Sequence, residues 1–397
     1  MKKRFVDPFF PNRPVDDPNR FEGRKTKVDE IIDAFFQTSN SNPSHSIITG
    51  ERGIGKSSLL FQSSLLAAGN QALANKFNFP SEETKFNFHT AWVDCVSEQS
   101  LENLIEAILD ELQSSLKKHV KGWNLEIDIA GFVKLSKKEE KEKSILNLVN
   151  QFVKEIETVY KELIKKGKDG LIIFIDEIDR LDPSIGIATF LKLSTEKMSR
   201  EGLKKVIFFC AGIKGAVQKM GTEHASILRT LKDIPINRFD DEELKDILKD
   251  GFMKVGATYD AKVLDKCAAF SSGFPEPTHL IGSEILTVSD DDHLDEEDFE
   301  KAKKKVVTEV RKNSLETKLK GAGSGKYQLI LEAMAQCESE NVQNDFISKK
   351  IGYPQNEYST NLSNLVENDI IYKVNRGIYA FVDPLLKEYI KNFGVIK

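Results

Sequence analysis

Apolar residues recur along this chain in two rhythms. Val28, Ile31, Ile32 and Phe35 fall at helical spacing, and Leu101, Leu104, Ile105, Ile108, Leu112 and Leu116 repeat that stripe over a longer stretch. The longest stripe runs from Ile145 through Leu148, Val149, Phe152, Val153, Ile156, Val159 and Tyr160 to Leu163, and predicts a helix packed on a large apolar surface. Between the helical stretches lie short strand-like runs at Ile47–Thr49, His89–Val96, Leu171–Ile175, Val206–Cys210 and Ile234–Ile236. Most of them are nearly all apolar, as strands buried on both faces of a parallel sheet are. Five strands alternating with helices predict an α/β fold with a five-stranded parallel sheet between helices.

Outside this core the pattern changes. Residues 1–20 hold four of the twelve prolines and no periodic apolar pattern, so they read as an extended arm lying on a domain. From Asp240 the strand signals vanish, and three or four helices fill the chain to about Asn313. The charged run DDDHLDEEDFEKAKKK places its acids where a helix would start and its lysines farther along, which suits the helix dipole. Gly321 to Gly325 reads as a Gly/Ser linker opening a last segment of three helices and a hairpin through Asn375-Arg376-Gly377. Residues 121–143 look like an insertion, with KLSKKEEKEK giving five lysines and three glutamates, read as a solvated hairpin and helix start.

Charge and cysteine usage narrow the class. In 397 residues, 57 Lys plus Arg face 62 Asp plus Glu, so no whole-protein positive field exists to hold nucleic acid or anionic lipid. Cys95, Cys210, Cys267 and Cys337 form no CxxC pair, which disfavours a sequential zinc site and suits a reducing, cytoplasmic compartment. Prolines and charges interrupt any apolar leader at the amino terminus, and no apolar run approaches the ~18 residues of a membrane span, so no membrane partner is expected.

The chemistry lies in two motifs. GERGIGKS, from Gly50 to Ser57, is GxxxxGK[ST] placed after a predicted strand and before a helix, the context that defines a P-loop. Gly50, Gly53 and Gly55 let the backbone curl so that N–H groups point at phosphate oxygens. Lys56 reaches the β/γ-phosphates, Ser57 offers its hydroxyl to Mg²⁺, and Ser58 follows on the same helix start. The second motif, LIIFIDEIDR, ends a buried strand in Asp176 and Glu177 at the carboxyl edge of the sheet, where α/β folds bind ligands. Asp176 is expected to hold Mg²⁺ through water, and Glu177 to polarise the attacking water as general base. The two motifs are 120 residues apart, with a further strand between them in the chain.

With these residues in place the chain resembles the AAA+ ATPases, and within them the origin-recognition and helicase-loader type and the related STAND-like signalling ATPases. The resemblance rests on Phe21-Glu22-Gly23-Arg24, GERGIGKSS, DEIDRL, HASILR and GFPEPTHLIG, and covers nearly the whole chain. It implies an AAA+ core over residues 21–239, a helical lid over 240–313 and a winged helix over 314–397, with GIYAFVDPLLKEYI as the wing and last helix. It implies that Gly23 and Arg24 lie beside the adenine. Arg229 takes the position of a finger reaching a neighbouring subunit's nucleotide, with Arg238 as runner-up. Two departures stand out: the strand that usually carries a polar sensor offers only Cys210, with Lys214 the nearest strong donor, and the lid arginine is absent, with His279 the substitute.

These features predict a Mg²⁺-dependent ATPase acting as a molecular switch that self-associates with shared ATP sites. The output is a protein partner of the winged helix, as in signalling or defence ATPases; the alternative is a DNA-binding initiator, loader or transposition regulator. The expected recognition helix, roughly Gln355 to Asn368, carries Glu357 and Glu367 and no Lys or Arg. Only Lys349, Lys350, Lys373 and Arg376 could form a patch, so weak DNA binding by the isolated segment is expected.

Overall fold

The structure, a computed structural model, describes residues 5–11, 13–123, 126–129, 145–368 and 370–395. Most of the proposed insertion at 121–143 lies outside the described residues. The chain divides into two compact units, one of residues 14–237 and one of residues 1–13 with 238–397.

In the first unit the predicted stripes form helices α1 (Lys25–Ser39), α2 (Lys56–Ala67), α3 (Leu101–His119), α4 (Ile145–Lys165), α5 (Ile187–Arg200) and α6 (Ala216–Glu223). They flank a parallel sheet of β1 (Ser46–Gly50), β2 (His89–Asp94), β3 (Leu171–Asp176), β4 (Val206–Ile213) and β5 (Lys232–Pro235). The strand order is β2-β3-β4-β1-β5, so β4 enters between the P-loop strand and the Asp176 strand although it comes later in the chain. β1 and β3 are buried along their whole length, which is why β3 reads as an unbroken apolar run from Leu171 to Ile175 and β1 carries only the small polar residues Ser46 and Thr49 beside its isoleucines. The α3 and α4 stripes bury Leu104, Ile108, Phe152 and Ile156 in the same core as Ile173 and Phe208. All carboxyl ends of the strands share one edge: Gly50 stands opposite Ile213, and Asp94 beside Asp176. Residues 18–20 of the arm form a 3₁₀ turn capped by the Asp17 side chain.

In the second unit four helices follow Asp240: α7 (Asp241–Lys254), α8 (Ala261–Ser271), α9 (Pro275–Val288) and α10 (Glu296–Lys305). Asp295 caps α10 in a capping box with Asp298, and lysines close its last turn, so the charged run is a helix whose ends complement its dipole. Strand pairing does not vanish after Asp240: Thr258–Tyr259 and His293–Leu294 form a two-residue parallel bridge, too short to leave a pattern. A π-helical turn, Val306–Val310, leads into α11 (Lys312–Gly321).

The rest comprises α12 (Lys326–Gln336), β6 (Val342–Gln343), α13 (Asn344–Ile351), α14 (Ser359–Glu367), the hairpin β7 (Ile371–Asn375) and β8 (Ile378–Phe381), and α15 (Pro384–Phe393). Its sheet has the order β6-β8-β7. The expected linker at Gly321–Gly325 is instead a tight turn between α11 and α12, because Ala322 is 2% exposed and belongs to the unit's core. Gly323 and Gly325 supply its positive φ angles of 96° and 67°.

Candidate functional site

The P-loop leaves β1 at Gly50, where a Cβ would lie 2.8 Å from Ile236 Cγ1 and 2.9 Å from the Ile236 carbonyl oxygen. Only glycine fits there. Gly53 and Gly55 take φ of 75° and 96°, and Gly55 caps α2 without a side-chain hydrogen bond, so the first N–H groups of a twelve-residue helix are left for an anion. No acid stands in that first turn. Lys56 Nζ donates to the carbonyl oxygens of Gly50 at 3.2 Å and Glu51 at 2.9 Å. Burial pulls its pKa down, opposed by the charges of Asp179 and Asp176.

Opposite stands the end of β3. Burial raises the Asp176 pKa, against hydrogen bonds from the Ser57 hydroxyl and the Glu177 N–H, while Asp94 and Glu177 push it up further. A buried carboxylate joined to the Ser57 hydroxyl supplies the oxygen donors that a hard divalent cation takes, so Mg²⁺ fits Ser57 and Asp176, with water completing its shell. Beneath it the Cys95 N–H donates to the Asp176 carbonyl at 3.0 Å, and burial lifts the Cys95 thiol to about 12.

Glu177 sits in the left-handed region, φ 54° and ψ 37°, at the head of a 3₁₀ turn, Ile178–Arg180. Both its carboxylate oxygens are held: Arg180 Nε lies 2.8 Å from Oε2, and Arg180 Nη2 donates to Oε1 at 2.9 Å. Asp179 Oδ1 accepts from the Ile213 N–H at 2.9 Å and so pins the turn to the end of β4. Asp94, Asp179 and Arg180 thus join the site. The last two lay inside the DEIDR run, where adjacency was the only signal.

The remaining candidates separate. Gly23 and Arg24 have φ of 64° each, and Arg24 Nη2 donates to the P-loop carbonyl of Ile54 at 3.2 Å. Ser58 is engaged with the arm: its Oγ accepts the Val15 N–H at 3.1 Å, and Gln62 Nε2 donates to the Val15 carbonyl at 2.7 Å. Cys210 is fully buried and one register position below Asp176, so it offers no donor to a ligand. Lys214 is exposed just past β4, its N–H on the Gly50 carbonyl at 3.0 Å.

Arg229 is not beside the P-loop of its own chain. It precedes β5, whose Lys232 stands opposite Ser46, the first residue of β1, and it lines a cavity of about 410 Å³ with His45, Gln218 and Asp233. Arg238 is committed elsewhere: it donates to Glu340 at 2.6 Å and to Tyr372, and lies 4.6 Å over the Phe274 ring. His279 is corrected. It is buried edge-on against Phe9 and Phe10, and burial lowers its pKa to about 4, so it is a neutral packing residue and no cation for a phosphate.

Residues 20–198 match the AAA ATPase domain family, and residues 321–390 match a domain family of unknown function. No curated protein matches the sequence. Among solved structures the chain is similar to a Walker-type ATPase of Pyrococcus abyssi, with 19% identity, a TM-score of 0.60, and 96% of this chain and 98% of that one covered. It is also similar to the Aeropyrum pernix ORC1 protein, solved in complex with DNA, with 13% identity, a TM-score of 0.50 and coverage of 94% and 93%. Alignment with the Thermotoga maritima RuvB branch migration motor gives 14% identity, a TM-score of 0.44 and coverage of 96% and 97%. At these identities the likeness to the first two is one of fold. The residues that match the AAA ATPase domain family, 20–198, hold β1, β2 and β3 of the five-stranded α/β core.

Proposed function

We propose that the AAA ATPase domain of this chain binds and hydrolyses ATP with Mg²⁺, and that its nucleotide state switches the protein's assembly and partner binding. The observation that carries this reading is the convergence of Lys56, Ser57, Asp176 and Glu177 at one sheet edge around an uncapped helix start. The N–H groups at the start of α2 and Lys56 take the β/γ-phosphates, and Gly23 and Arg24 border the base. Ser57, and Asp176 through water, would hold Mg²⁺, which would supply positive charge against the transferred group. Glu177 takes the proton of the attacking water.

The output lies in the second unit, with α7–α10 as lid over residues 240–313 and residues 314–397 as a winged helix. Helices α12, α13 and α14 ahead of the β7–β8 hairpin, which β6 joins in the order β6-β8-β7, and the closing helix α15 support that assignment. Its second helix pair presents α14, which carries Glu367 and no Lys or Arg, so a protein partner suits this module better than DNA. Arg229, on the far edge of the sheet from its own P-loop, acts in trans on a neighbouring copy. Four cysteines with no disulfide suit a cytoplasmic setting. The test is size-exclusion with light scattering in ATP, ADP and no nucleotide, run beside a phosphate-release assay. Nucleotide-dependent assembly with turnover is expected; a monomer of unchanged size with no release in Mg²⁺-ATP sinks the reading.

A further inference from the structure

The parallel sheet gives its two edges opposite charge. The carboxyl edge gathers Asp94, Asp176, Glu177 and Asp179 around the P-loop. At the amino edge, three segments carry the chain out of helices α3, α4 and α5: residues 117–122 (KKHVKG), 165–170 (KKGKDG) and 201–205 (EGLKK). Together they hold eight lysines and two acids, Asp169 and Glu201, in a chain whose net charge is -5, so composition does not explain them.

Contacts join the three segments into one surface. Lys166 Nζ donates to the carbonyls of Lys121 at 3.2 Å and Gly122 at 3.1 Å. The Leu171 N–H donates to the Lys205 carbonyl at 2.9 Å, and a Cβ on Gly170 would stand 2.1 Å from that oxygen. Lys168 reaches Asn87 at 2.7 Å beside the start of β2. The helix dipole accounts for Lys117, Lys118 and Lys165, which close the last turns of α3 and α4. It does not account for Lys121, Lys168, Lys204 and Lys205, which lie beyond the helix ends.

The nearby acids leave most of this charge free. Glu162 lies 3.7 Å from both Lys165 and Lys166, and Glu126 lies 3.8 Å from Lys117. Asp169 accepts the Asn87 N–H at 2.6 Å. Lys118, Lys121, Lys168, Lys204 and Lys205 have no acidic partner among the described residues. Among the described residues the aromatics of this region, Phe86, Phe88 and Trp123, are buried and offer no platform on which unpaired bases stack.

From these observations we infer that the amino edge of the ATPase sheet is a docking surface for the phosphodiester backbone of a duplex nucleic acid. Lys118, Lys121, Lys168, Lys204 and Lys205 are its contacts. The contact is with backbone and not with bases, so it carries little sequence preference. It lies at the opposite sheet edge from the P-loop, and does not depend on the proposed hydrolysis.

The test is fluorescence anisotropy of the full-length chain on labelled mixed-sequence 30-base-pair duplexes, one DNA and one RNA, at 50 and 200 mM NaCl. Five neutralised phosphates give a slope near -4.5 in log K against log salt, a loss of about 500-fold over that range. The variant Lys118→Glu/Lys121→Glu/Lys204→Glu/Lys205→Glu keeps its ATP turnover and loses at least about 50-fold in affinity at 50 mM, with a slope near -1. Either duplex behaving so supports the surface, and the ratio between them identifies the preferred one. Binding that survives the fourfold variant overturns it. So does binding lost instead on Lys349→Glu/Lys350→Glu, no binding of either duplex at 50 mM, or capture by vesicles with 30% phosphatidylserine in place of duplexes.

Discussion

The clamp of Arg180 on Glu177 makes a quantitative prediction. A carboxylate with both oxygens in a guanidinium fork is a poor acceptor for a proton from water, so on the proposed role Glu177 must leave Arg180 before it can act. The two side chains are 45% and 43% exposed, and exposed pairs of this kind are worth about 0.2–1 kcal/mol. With RT near 0.6 kcal/mol, releasing such a pair changes the free fraction of Glu177 by roughly 1.4- to 5-fold. Arg180→Ala should therefore raise basal kcat by about that factor in a steady-state phosphate-release assay with KM for ATP unchanged, and Arg180→Lys should fall between the two. Because screening weakens an exposed pair, wild-type turnover should climb toward the variant's as salt rises from 50 to 500 mM, while the variant's stays flat. Arg180→Ala combined with Glu177→Gln should remain inactive. A drop of tenfold or more in kcat for the folded Arg180→Ala protein would refute the reasoning and place Arg180 on the transition state instead.

Other consequences are checked more briefly. Lys56→Ala should abolish binding of a fluorescent ATP analogue, whereas Glu177→Gln should bind it and release no phosphate. Arg229→Ala and Glu177→Gln, each inactive alone, should partly restore turnover when mixed and co-assembled, since fingers contribute ~10³ to 10⁵ in rate; no recovery in a shown co-assembly would place the arginine in cis. Gly170→Ala, at φ 150° with its Cβ 2.1 Å from the Lys205 carbonyl, should cost about 3 kcal/mol or more and lower the melting temperature by roughly 6–12 °C in calorimetry. Burial depresses His45, His89 and His279 from 6.5 to about 4, so each favours the folded state above pH 6.5 and loses that contribution as pH falls toward 4. At about 1.4 kcal/mol per unit, roughly 3 kcal/mol is lost per histidine, and urea midpoints should drop steeply across that window.

The parts of this protein that were legible in its sequence are those set by local rules. The P-loop fixes backbone curvature through Gly53 and Gly55, and Leu171–Asp176 announces a strand buried on both faces that must surface at its acids. Nothing local fixes strand order, and the entry of β4 between β1 and β3 follows from packing across more than a hundred residues. The same holds for side chains whose role depends on what meets them. His279 loses its charge because Phe9 and Phe10 cover it, and Arg238 is spent on Glu340 and Tyr372, far away in the chain. Gly321–Gly325 has a flexible linker's composition, and only the burial of Ala322 makes it a turn. Arg180 stands three residues from Glu177, but the left-handed backbone of Glu177 that brings the carboxylate to it has no sequence signal.

The amino-terminal arm shows how such local and distant constraints combine. Its residues from Pro14 onward belong to the ATPase unit, where Val15 is held from both sides by Ser58 and Gln62 of α2, the helix that begins at Lys56. Its earlier residues belong to the helical unit, where Phe9 fills a notch made by two glycines. A Cβ on Gly251 of α7 would stand 2.3 Å from the Phe9 ring, and one on Gly282 of α9 2.6 Å from it. Asp7 accepts the Ser283 hydroxyl at 2.6 Å and fixes the same end. Between the two anchors lie only residues 10–14, and Pro11 and Pro14 lock φ at two of those five positions. A proline-rich segment with no apolar period, which by composition alone is an ornament on the surface, is therefore a second covalent link between the ATPase unit and the helical unit, beside the one at Asn237 and Arg238.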